Sequence, residues 1–450
     1  MEKIHHHTLR HAFPPRAPRY TSYPPANRFG NDITTGRYTS WLEALPTNAP
    51  GSLYLHIPFC KRLCWFCACR TQGVTTQAPI LRYLEALRRE AAAIADRLPD
   101  GFSFDKIHFG GGTPTILTAE QSTALLNTIR NVLPIADNAD LSVEIDPTDF
   151  DQERADALLA AGLSRASIGI QDFAPDVQAA IGRTQDYDIT QAAFAMLREG
   201  GVPSINADVV YGLPLQTRES FERTIARLMW LRPDRVALFG YAHVPQMSRR
   251  QRVIDGDTLP DAEQRIDLFD DADSALRSRG YVPIGFDHYA LPGDSMAKAA
   301  ANGQLRRNFQ GYTDDVSDVL IGLGASAISR LPQGYAQNAP ATSAYLGRIE
   351  SGDMAAARGL AFSRQDKWRG HAIERLMCDF AIDFDAPEIR ANATDAEIEQ
   401  ALAAFAAFDA EAVSVVGAKV SIAEPYRSYV RNFAGVLDED DPSQASSLSI

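Results

Sequence analysis

The chain alternates short apolar runs with longer segments in which apolar residues recur every three or four positions. The first run, residues 53–59, predicts a buried strand. The next segment, from Ile80 to Leu98, places its apolar residues on one stripe and predicts an amphipathic helix. Further strands, with helical segments between them, are predicted over residues 106–109, 141–145, 166–170, 205–210 and 236–240.

Six strand–helix alternations in register are typical of a parallel sheet with covering helices. The count predicts an α/β fold built on a partial (β/α)6 barrel of the TIM type. A doubly wound sheet is the alternative, but no G-x-G-x-x-G sequence follows the first strand and no Walker A sequence occurs in the chain. The barrel with its extension is expected to span residues 53–335, with residues 282–286 and 308–312 extending its edge.

Two segments of different character flank the predicted barrel. Residues 1–52 are rich in proline and aromatic residues and are expected to form an ordered arm or a linker. Residues 336–437 are alanine-rich and predict a smaller, mainly helical C-terminal domain. Within it, a capping box opened by Thr394 precedes a hairpin across Gly417, an order that suggests a winged-helix-like lobe. The acidic and serine-rich residues 438–450 are expected to be disordered.

Composition limits the class of protein and its compartment. Hydrophobic residues make up 45% of the 450-residue chain, but no apolar run approaches the roughly 20 residues that cross a bilayer. We therefore expect no membrane span, and no signal peptide is expected either. Five cysteines, most of them crowded together, indicate a reducing compartment, so a cytoplasmic location is expected. The net charge of −13 argues against a nucleic-acid partner, which requires a basic face.

Four of the five cysteines lie within ten residues, directly after the first predicted strand. Cys60, Cys64 and Cys67 have C-x3-C-x2-C spacing and Cys69 follows, whereas Cys378 stands far away in the sequence. Three thiolates on one loop predict a [4Fe-4S] cluster whose fourth iron is open to a ligand, with Cys69 free for another role. A zinc site, which usually draws a second ligand pair from elsewhere in the chain, and reduced packing cysteines remain alternatives.

C-x3-C-x2-C after a first barrel strand is the signature of radical S-adenosylmethionine (SAM) enzymes, and the longer sequence from His56 to Cys69 narrows the resemblance. The chain resembles the oxygen-independent coproporphyrinogen III oxidases, also called coproporphyrinogen dehydrogenases. The match of residues 18–24 favours an arm that packs over the active site. The matching segments are 18–24, 56–69, 110–115, 144–147, 169–173, 211–214, 241–243, 287–288, 308–312 and 324–329.

The resemblance implies a site that holds a [4Fe-4S] cluster and two SAM molecules. It assigns Cys60, Cys64 and Cys67 as iron ligands and gives Cys69 and Gln310 catalytic roles, with Gln310 near the substrate or the second SAM. The SAM that chelates the open iron would contact Tyr54, Gly111 and Glu144. The second SAM would contact Phe66, Gly112, Thr113, Gln171, Arg183, Asp208, Ala242 and Ile328.

Polar residues and glycines at the C-terminal ends of the predicted strands agree with that assignment. Barrel active sites are assembled at these ends, and there the sequence has residues 110–112, Glu144, Gln171, Asp208 and His243. Carboxylates and an amide suit the hydroxyl, ammonium and sulfonium groups of SAM. A single residue of this kind is as often an ordinary hydrogen-bonding cap, whereas five strand ends in succession indicate a site.

The resemblance implies conversion of coproporphyrinogen III to protoporphyrinogen IX in haem biosynthesis. A 5′-deoxyadenosyl radical made from SAM would remove a hydrogen atom from each of two propionates, and loss of CO2 and one electron would leave a vinyl group. The implied partners are coproporphyrinogen III and a low-potential electron donor such as flavodoxin or ferredoxin, and a monomer is expected. A related radical SAM branch acts as a haem chaperone; it typically lacks the fourth cysteine and the arm, both of which are present here.

A polycarboxylate substrate conflicts with the acidic charge of the chain unless local arginines reverse the sign inside the cleft. Arg19, Arg183, Arg306 and Arg307 are the candidates in the sequence. Surface solvation is the commoner role of any one arginine.

Overall fold

In the computed structural model, which describes residues 17–438, six parallel strands form the centre of one sheet. The strands are β1 (Pro50–Ile57), β2 (Ser103–Gly111), β3 (Ile135–Ile145), β4 (Leu163–Gln171), β5 (Ser204–Tyr211) and β6 (Arg235–Gly240). They neighbour one another in the order in which they occur in the chain. A doubly wound sheet reverses its strand order at a switch point, so this order identifies the partial (β/α)6 barrel.

The helices between these strands pack against the sheet in one hydrophobic core. They form where the sequence supplies an apolar stripe and a cap: α2 buries Ile80, Leu84 and Leu87, and a capping box between Thr118 and Gln121 opens α3. No helix within residues 17–438 has the length and apolar composition needed to cross a membrane. The helices of this part are α1 (Thr35–Glu43), α2 (Ala78–Ala95), α3 (Ala119–Val132), α4 (Gln152–Ala160), α5 (Pro175–Ala180), α6 (Tyr187–Glu199), α7 (Arg218–Leu231), α8 (Ala262–Ser278), α9 (Ser295–Ala301) and α10 (Thr342–Glu350).

Further strands extend the sheet at both edges. The additional strands are β7 (Val282–Ile284), β8 (His288–Ala290), β9 (Arg306–Asn308), β10 (Gly311–Thr313), β11 (Leu320–Leu323), β12 (Ile328–Leu331), β13 (Gly334–Asn338) and β14 (Ala356–Ala361). β8 and β7 follow β6, while β11 to β14 continue outward from β1, which gives twelve strands. Residues 282–286 thus contribute to the edge as expected. Residues 308–312 do not, because β9 and β10 pair with each other in a separate hairpin.

The C-terminal lobe has its own hydrophobic core, which includes Tyr20 and Tyr23 of the N-terminal arm. As expected, the helix Asp395–Ala406 precedes a hairpin, and Gly417 at the turn of the hairpin has φ +61°, which favours glycine. The elements of the lobe are α11 (Arg364–Asp379), β15 (Ala381–Asp383), α12 (Pro387–Arg390), α13 (Asp395–Ala406), β16 (Val413–Val416), β17 (Lys419–Ile422) and α14 (Val430–Ala434).

The boundary between the barrel and the lobe differs from the expected one. A division after residue 335 would cut β13, and the main sheet continues to Ala361. We therefore place the boundary between β14 and α11. Alanine content misled the sequence interpretation, because short edge strands carry too few residues to show a period of two. Residues 1–16 of the expected arm and residues 439–450 of the expected tail lie outside the described residues.

A network of ions closes the N-terminal end of the barrel. Asp314 accepts hydrogen bonds from Lys106 Nζ at 2.8 Å, from Ser295 Oγ at 2.5 Å and from the guanidinium of Arg165. Burial opposes ionisation, but these partners outweigh it and hold the pKa of Asp314 well below its usual value. The opposite, C-terminal end of the barrel is therefore the one left for ligands.

Candidate functional site

The four clustered cysteines lie on the loop that follows β1. Cys60 ends a two-residue strand that pairs with Gln72–Gly73, so the loop returns to its own start. Cys64 is buried, Cys60 and Cys67 are half-buried, Cys69 is exposed, and all four are free thiols. The charges of Cys67 and Cys64 both act on the Cys60 thiol, so the loop brings the three expected iron ligands together.

Hydrogen bonds on this loop favour the thiolate of Cys67, whereas burial opposes ionisation of Cys60. A hydrogen bond from the Cys69 thiol lowers the pKa of Cys67 to about 6, although burial acts in the opposite direction. The backbone N–H of Cys69 also donates to Cys67 Sγ at 3.4 Å. Burial raises the pKa of Cys60, while Arg183 Nη1 lies 3.6 Å from Cys64 Sγ. Iron is ligated by the thiolate form, so these contacts suit iron ligands.

Three free thiols on one loop are a donor set that suits an iron–sulfur cluster. In the described range 17–438, no group of three or more His, Cys, Asp or Glu side chains converges as the ligands of one ion must. A cubane instead takes one thiolate at each ligated iron, so its three thiolates stand around it rather than meeting at a point. Cys378 packs with Ile284 and Tyr312 in a separate apolar cluster, away from the loop.

The glycine-rich turn after β2 lies directly against the cysteine loop. Gly112 N–H donates to the carbonyl of Ile57 at 2.8 Å, and Thr113 N–H donates to the carbonyl of Phe59 at 2.9 Å. A Cβ atom at Gly112 would lie 2.6 Å from the Phe59 carbonyl oxygen and 3.0 Å from Cys60 Sγ. Glycine is therefore required here because the two backbones and a thiol approach too closely for a side chain.

Tyr54, Gly111 and Glu144, the residues expected to hold one SAM, meet inside the barrel mouth. Glu144 Oε2 accepts from the Gly111 N–H at 3.0 Å, and Glu144 Oε1 lies 3.4 Å from His108 Nε2. The Tyr54 ring stacks on His108 with 5.7 Å between centroids, and its hydroxyl lies 3.0 Å from His56 Nδ1. Burial would raise the pKa of Glu144, but the hydrogen bond and charge of His108 hold it below its usual value. Glu144 is thus an anion at neutral pH.

Arg183 and Gln171 lie at the C-terminal end of β4, beside the cysteine loop. Arg183 Nη1 donates to Asp146 Oδ2 at 3.0 Å, and Nη2 donates to the carbonyl of Gly169 at 2.9 Å. Gln171 ends the strand in the left-handed region, with φ +69°. A residue other than glycine in that conformation is strained, and such strain is common at functional sites.

Asp208 of β5 faces the interior of the barrel. Its carboxylate accepts from Ser167 Oγ at 3.0 Å and from Asn206 Nδ2 at 2.7 Å. Burial, and then the charge of Glu144, raise the pKa of Asp208 to about 6. These two carboxylates are therefore close enough to influence each other, although they were expected to serve different SAM molecules.

The remaining residues expected around the second SAM are spread along the mouth of the barrel. Gln251 Nε2 donates to the carbonyl of Phe66 at 2.7 Å and to that of Ala242 at 3.1 Å, which ties the cysteine loop to the segment after β6. Thr113 is buried in the glycine-rich turn. Ile328 begins β12, on the β1 side of the sheet, whereas Ala242 follows β6 on the other side.

A cavity of about 310 Å³ adjoins the cysteine loop, beneath the N-terminal arm. Cys69 and Gln310, the residues expected to be catalytic, both line it, as do Arg19 and Thr21 of the arm. Gln310 also lines a second cavity of about 240 Å³ inside the barrel, so the two cavities share this side chain. The arm therefore packs over the site.

Sequence reasoning missed His56 and His108, which orient Tyr54 and Glu144. Both face the barrel interior, two residues from Tyr54 and from Gly110 respectively, so alternation along β1 and β2 could have identified them.

The arginines were predicted only in part. Arg19 and Arg307 line the 310 Å³ cavity, whereas Arg306 is neutralised by Glu374 at 2.9 Å and Asp318 at 3.0 Å. Arg265 and Arg431 were missed. They lie on α8 and α14, far from any motif, and no local sequence signal could have identified them.

Comparisons with known proteins agree with this geometry. The model of the Radical SAM superfamily matches residues 54–228. The oxygen-independent coproporphyrinogen III oxidase of Paracoccus denitrificans (strain Pd 1222) is 47% identical over 430 residues, 95% of each chain. The enzyme of the same name from Bradyrhizobium diazoefficiens is 42% identical over 94% of each chain.

A solved structure gives the same result. The coproporphyrinogen III oxidase from Escherichia coli, described as a radical SAM enzyme, matches with a TM-score of 0.90 and 35% identity. The match covers 94% of this chain and 97% of that one. It therefore includes the arm, the barrel and the lobe. The chain belongs to the oxygen-independent coproporphyrinogen III oxidase family of the radical SAM superfamily.

Proposed function

We propose that this chain converts coproporphyrinogen III to protoporphyrinogen IX without oxygen, by oxidative decarboxylation of two propionate side chains to vinyl groups. The observation that carries the proposal is the position of Cys69, which follows the three-thiol loop and lines the adjoining cavity with Gln310. Three thiolates suffice for a cluster with one open iron, so the position of Cys69 in the cavity wall supports a role for this fourth thiol toward the substrate.

Cys60, Cys64 and Cys67 are the residues that would hold the [4Fe-4S] cluster. When bound, the cluster and SAM would supply a radical able to remove hydrogen from an unactivated carbon. The protein's contribution is to bind, to orient and to exclude water. The arm serves the last purpose, because it covers the cavity that Cys69 lines.

The proposal of two SAM molecules follows the family resemblance, which divides the site residues between them. Tyr54, Gly111 and Glu144 form the first set, and the anionic Glu144 can accept hydrogen bonds from the ammonium or ribose hydroxyls of SAM. The proposed second set is Phe66, Gly112, Thr113, Gln171, Arg183, Asp208, Ala242 and Ile328.

The remaining proposals concern the setting of the enzyme. A low-potential electron donor such as flavodoxin or ferredoxin would reduce the cluster. We propose a cytoplasmic monomer, in keeping with the five free thiols and with the arm folded against its own chain.

The test is an anaerobic assay with coproporphyrinogen III, SAM and a reductant. We expect two CO2 per substrate and the formation of protoporphyrinogen IX. Cys64→Ala should lose both the brown colour and SAM cleavage, whereas Cys69→Ala should keep the cluster and lose turnover. Normal turnover by Cys69→Ala would contradict the role assigned to that thiol. A colourless protein after anaerobic preparation would favour the zinc alternative.

The second candidate function is haem binding as a chaperone. It predicts stoichiometric haem binding without release of CO2. The contacts of the arm oppose it, because Arg19 and Thr21 line the same cavity as Cys69 and so belong to the site that a decarboxylase needs to close.

A further inference from the structure

Four arginines from separate segments of the chain meet at the 310 Å³ cavity beside Cys69. Arg19 comes from the N-terminal arm, Arg265 from α8, Arg307 from β9 and Arg431 from α14. The cavity therefore lies where the arm, the barrel edge and the C-terminal lobe come together. No short motif contains more than one of these side chains.

The two arginines nearest the arm hold backbone carbonyls. Arg307 Nε donates to the carbonyl of Tyr20 at 3.1 Å, and its guanidinium lies 4.3 Å from the centre of the Tyr312 ring. Arg431 Nε donates to the carbonyl of Pro18 at 3.1 Å. Carbonyls and aromatic faces orient a guanidinium without neutralising its charge.

Arg265 is held even more loosely. It is 5% exposed, its guanidinium lies 5.4 Å from the centre of the Tyr211 ring, and Nη1 reaches the carbonyl of Gly212 only at 3.5 Å. Among residues 17–438, the buried Nε of Arg265 and the buried Nη1 of Arg307 have no hydrogen-bond partner. Within the same range, neither side chain forms an ion pair. Such donors in a cavity wall are ready for an anionic ligand.

The charges around the cavity do not balance. Asp287 is the one acidic side chain in the described lining, and its carboxylate is already engaged by His288 Nδ1 at 2.7 Å. Burial and the charge of Arg19 lower the pKa of Arg431 to about 10, so that side chain is still cationic at neutral pH. The guanidinium of Arg265 is buried and forms no ion pair within residues 17–438, and a buried charge without a counter-charge is costly, which indicates that an anion arrives with a ligand.

We propose that Arg19, Arg265, Arg307 and Arg431 bind the carboxylates of the substrate and so select a polycarboxylate for this cavity. The inference rests on the proposed function and adds to it the residues that recognise the propionates. It also resolves the conflict between a net charge of −13 and a tetracarboxylate ligand, since four arginines and one acidic side chain line the cavity. Arg306, paired with Glu374 and Asp318, takes no part.

The test measures binding of coproporphyrin III, a stable and fluorescent tetracarboxylate, to the anaerobic holoenzyme. Arg265→Gln is expected to weaken binding by roughly ten- to hundredfold, the range for a lost hydrogen bond to a charged group. Binding of the coproporphyrin III tetramethyl ester should be unaffected by the same change, because the ester carries no carboxylate. Arg223→Gln, at an exposed position on α7, is the matched control and should bind both compounds as the wild type does.

The melting temperature distinguishes a ligand-binding role of Arg265 from a structural one. Because Arg265 Nε has no partner in the described part of the chain, Arg265→Gln should not lower the melting temperature of the ligand-free holoenzyme. Arg307→Gln, which also releases the arm, serves as the second variant. Wild-type affinity for coproporphyrin III in both variants would overturn the inference, as would an equal loss for the acid and the ester. Either result can be obtained while the wild type still releases CO2, so the proposed function would survive that failure.

Discussion

Replacing Gly112 by alanine tests whether the glycine-rich turn and the cysteine loop form one rigid unit. The added Cβ would lie 2.6 Å from the Phe59 carbonyl oxygen, 3.0 Å from the Ile57 carbonyl oxygen and 3.0 Å from Cys60 Sγ. Two of these three atoms belong to backbone. That backbone cannot move aside without breaking the hydrogen bonds of Gly112 and Thr113, at 2.8 Å and 2.9 Å.

The cost follows from this geometry. Overpacking in a close-packed region costs about 1–3 kcal/mol, and here the strain falls on the strand that ends at Cys60. Relief of the strain displaces Cys60, so we expect a loss of bound iron as well as of stability. Gly347 offers a matched control, because it lies within α10 and a Cβ there meets nothing within 4 Å. Gly347→Ala should be stabilising by about 0.5–1 kcal/mol.

Iron and sulfide content and the melting temperature would be measured for both variants after anaerobic purification. Gly112→Ala should lose iron and melt at a lower temperature, while Gly347→Ala should keep its iron and melt slightly higher. Full iron content and wild-type stability in Gly112→Ala would refute the close contact between turn and loop. A similar loss of iron in Gly347→Ala would show that alanine at any glycine has this effect.

Substitutions at three other residues have defined expected effects on stability. Asp314→Asn removes the nearer carboxylate of Lys106 and Arg165 and leaves them only Asp140, at 3.7 Å and 3.8 Å, so chemical denaturation should show a loss of about 1–3 kcal/mol. Burial raises the pKa of Glu90 from 4.5 to about 7, so the stability linked to its protonated form is complete below pH 4.5 and is lost as the pH rises through 7. Between pH 5 and pH 8, the free energy of unfolding of the wild type should therefore fall by about 3 kcal/mol relative to that of Glu90→Gln. A difference between the two proteins that does not change with pH would contradict this. Tyr20→Ala should cost about 3 kcal/mol of unfolding free energy, because a ring that is 5% exposed leaves the core of the lobe.

The barrel was predictable from sequence because each of its strands is a contiguous apolar run followed by a periodic helix. The runs at 53–59 and 205–210 became β1 and β5 with ends shifted by a few residues. The edge was not predictable to the same degree. β13 and β14 have only five and six residues, and their pairing depends on neighbours far away in the sequence.

The residues of the site also divide into those that the sequence identified and those that it did not. The thiols and Gly112 were identifiable because one short sequence carries each motif, and the fold then brings the two motifs into contact. Arg265 and Arg431 were not identifiable, since each lies on a helix whose local pattern gives no hint of a cavity. The position of such residues depends on how the lobe, arm and barrel pack, and tertiary packing of this kind is not encoded in any local period.

The most direct measurement is electron paramagnetic resonance of the reduced, anaerobically purified protein, together with iron and sulfide analysis, before and after addition of SAM. A [4Fe-4S] cluster with one open iron predicts about four irons and four sulfides per chain and a spectrum that changes when SAM binds at that iron. A protein without the cluster, or a cluster whose spectrum is indifferent to SAM because side chains cap every iron, would contradict it.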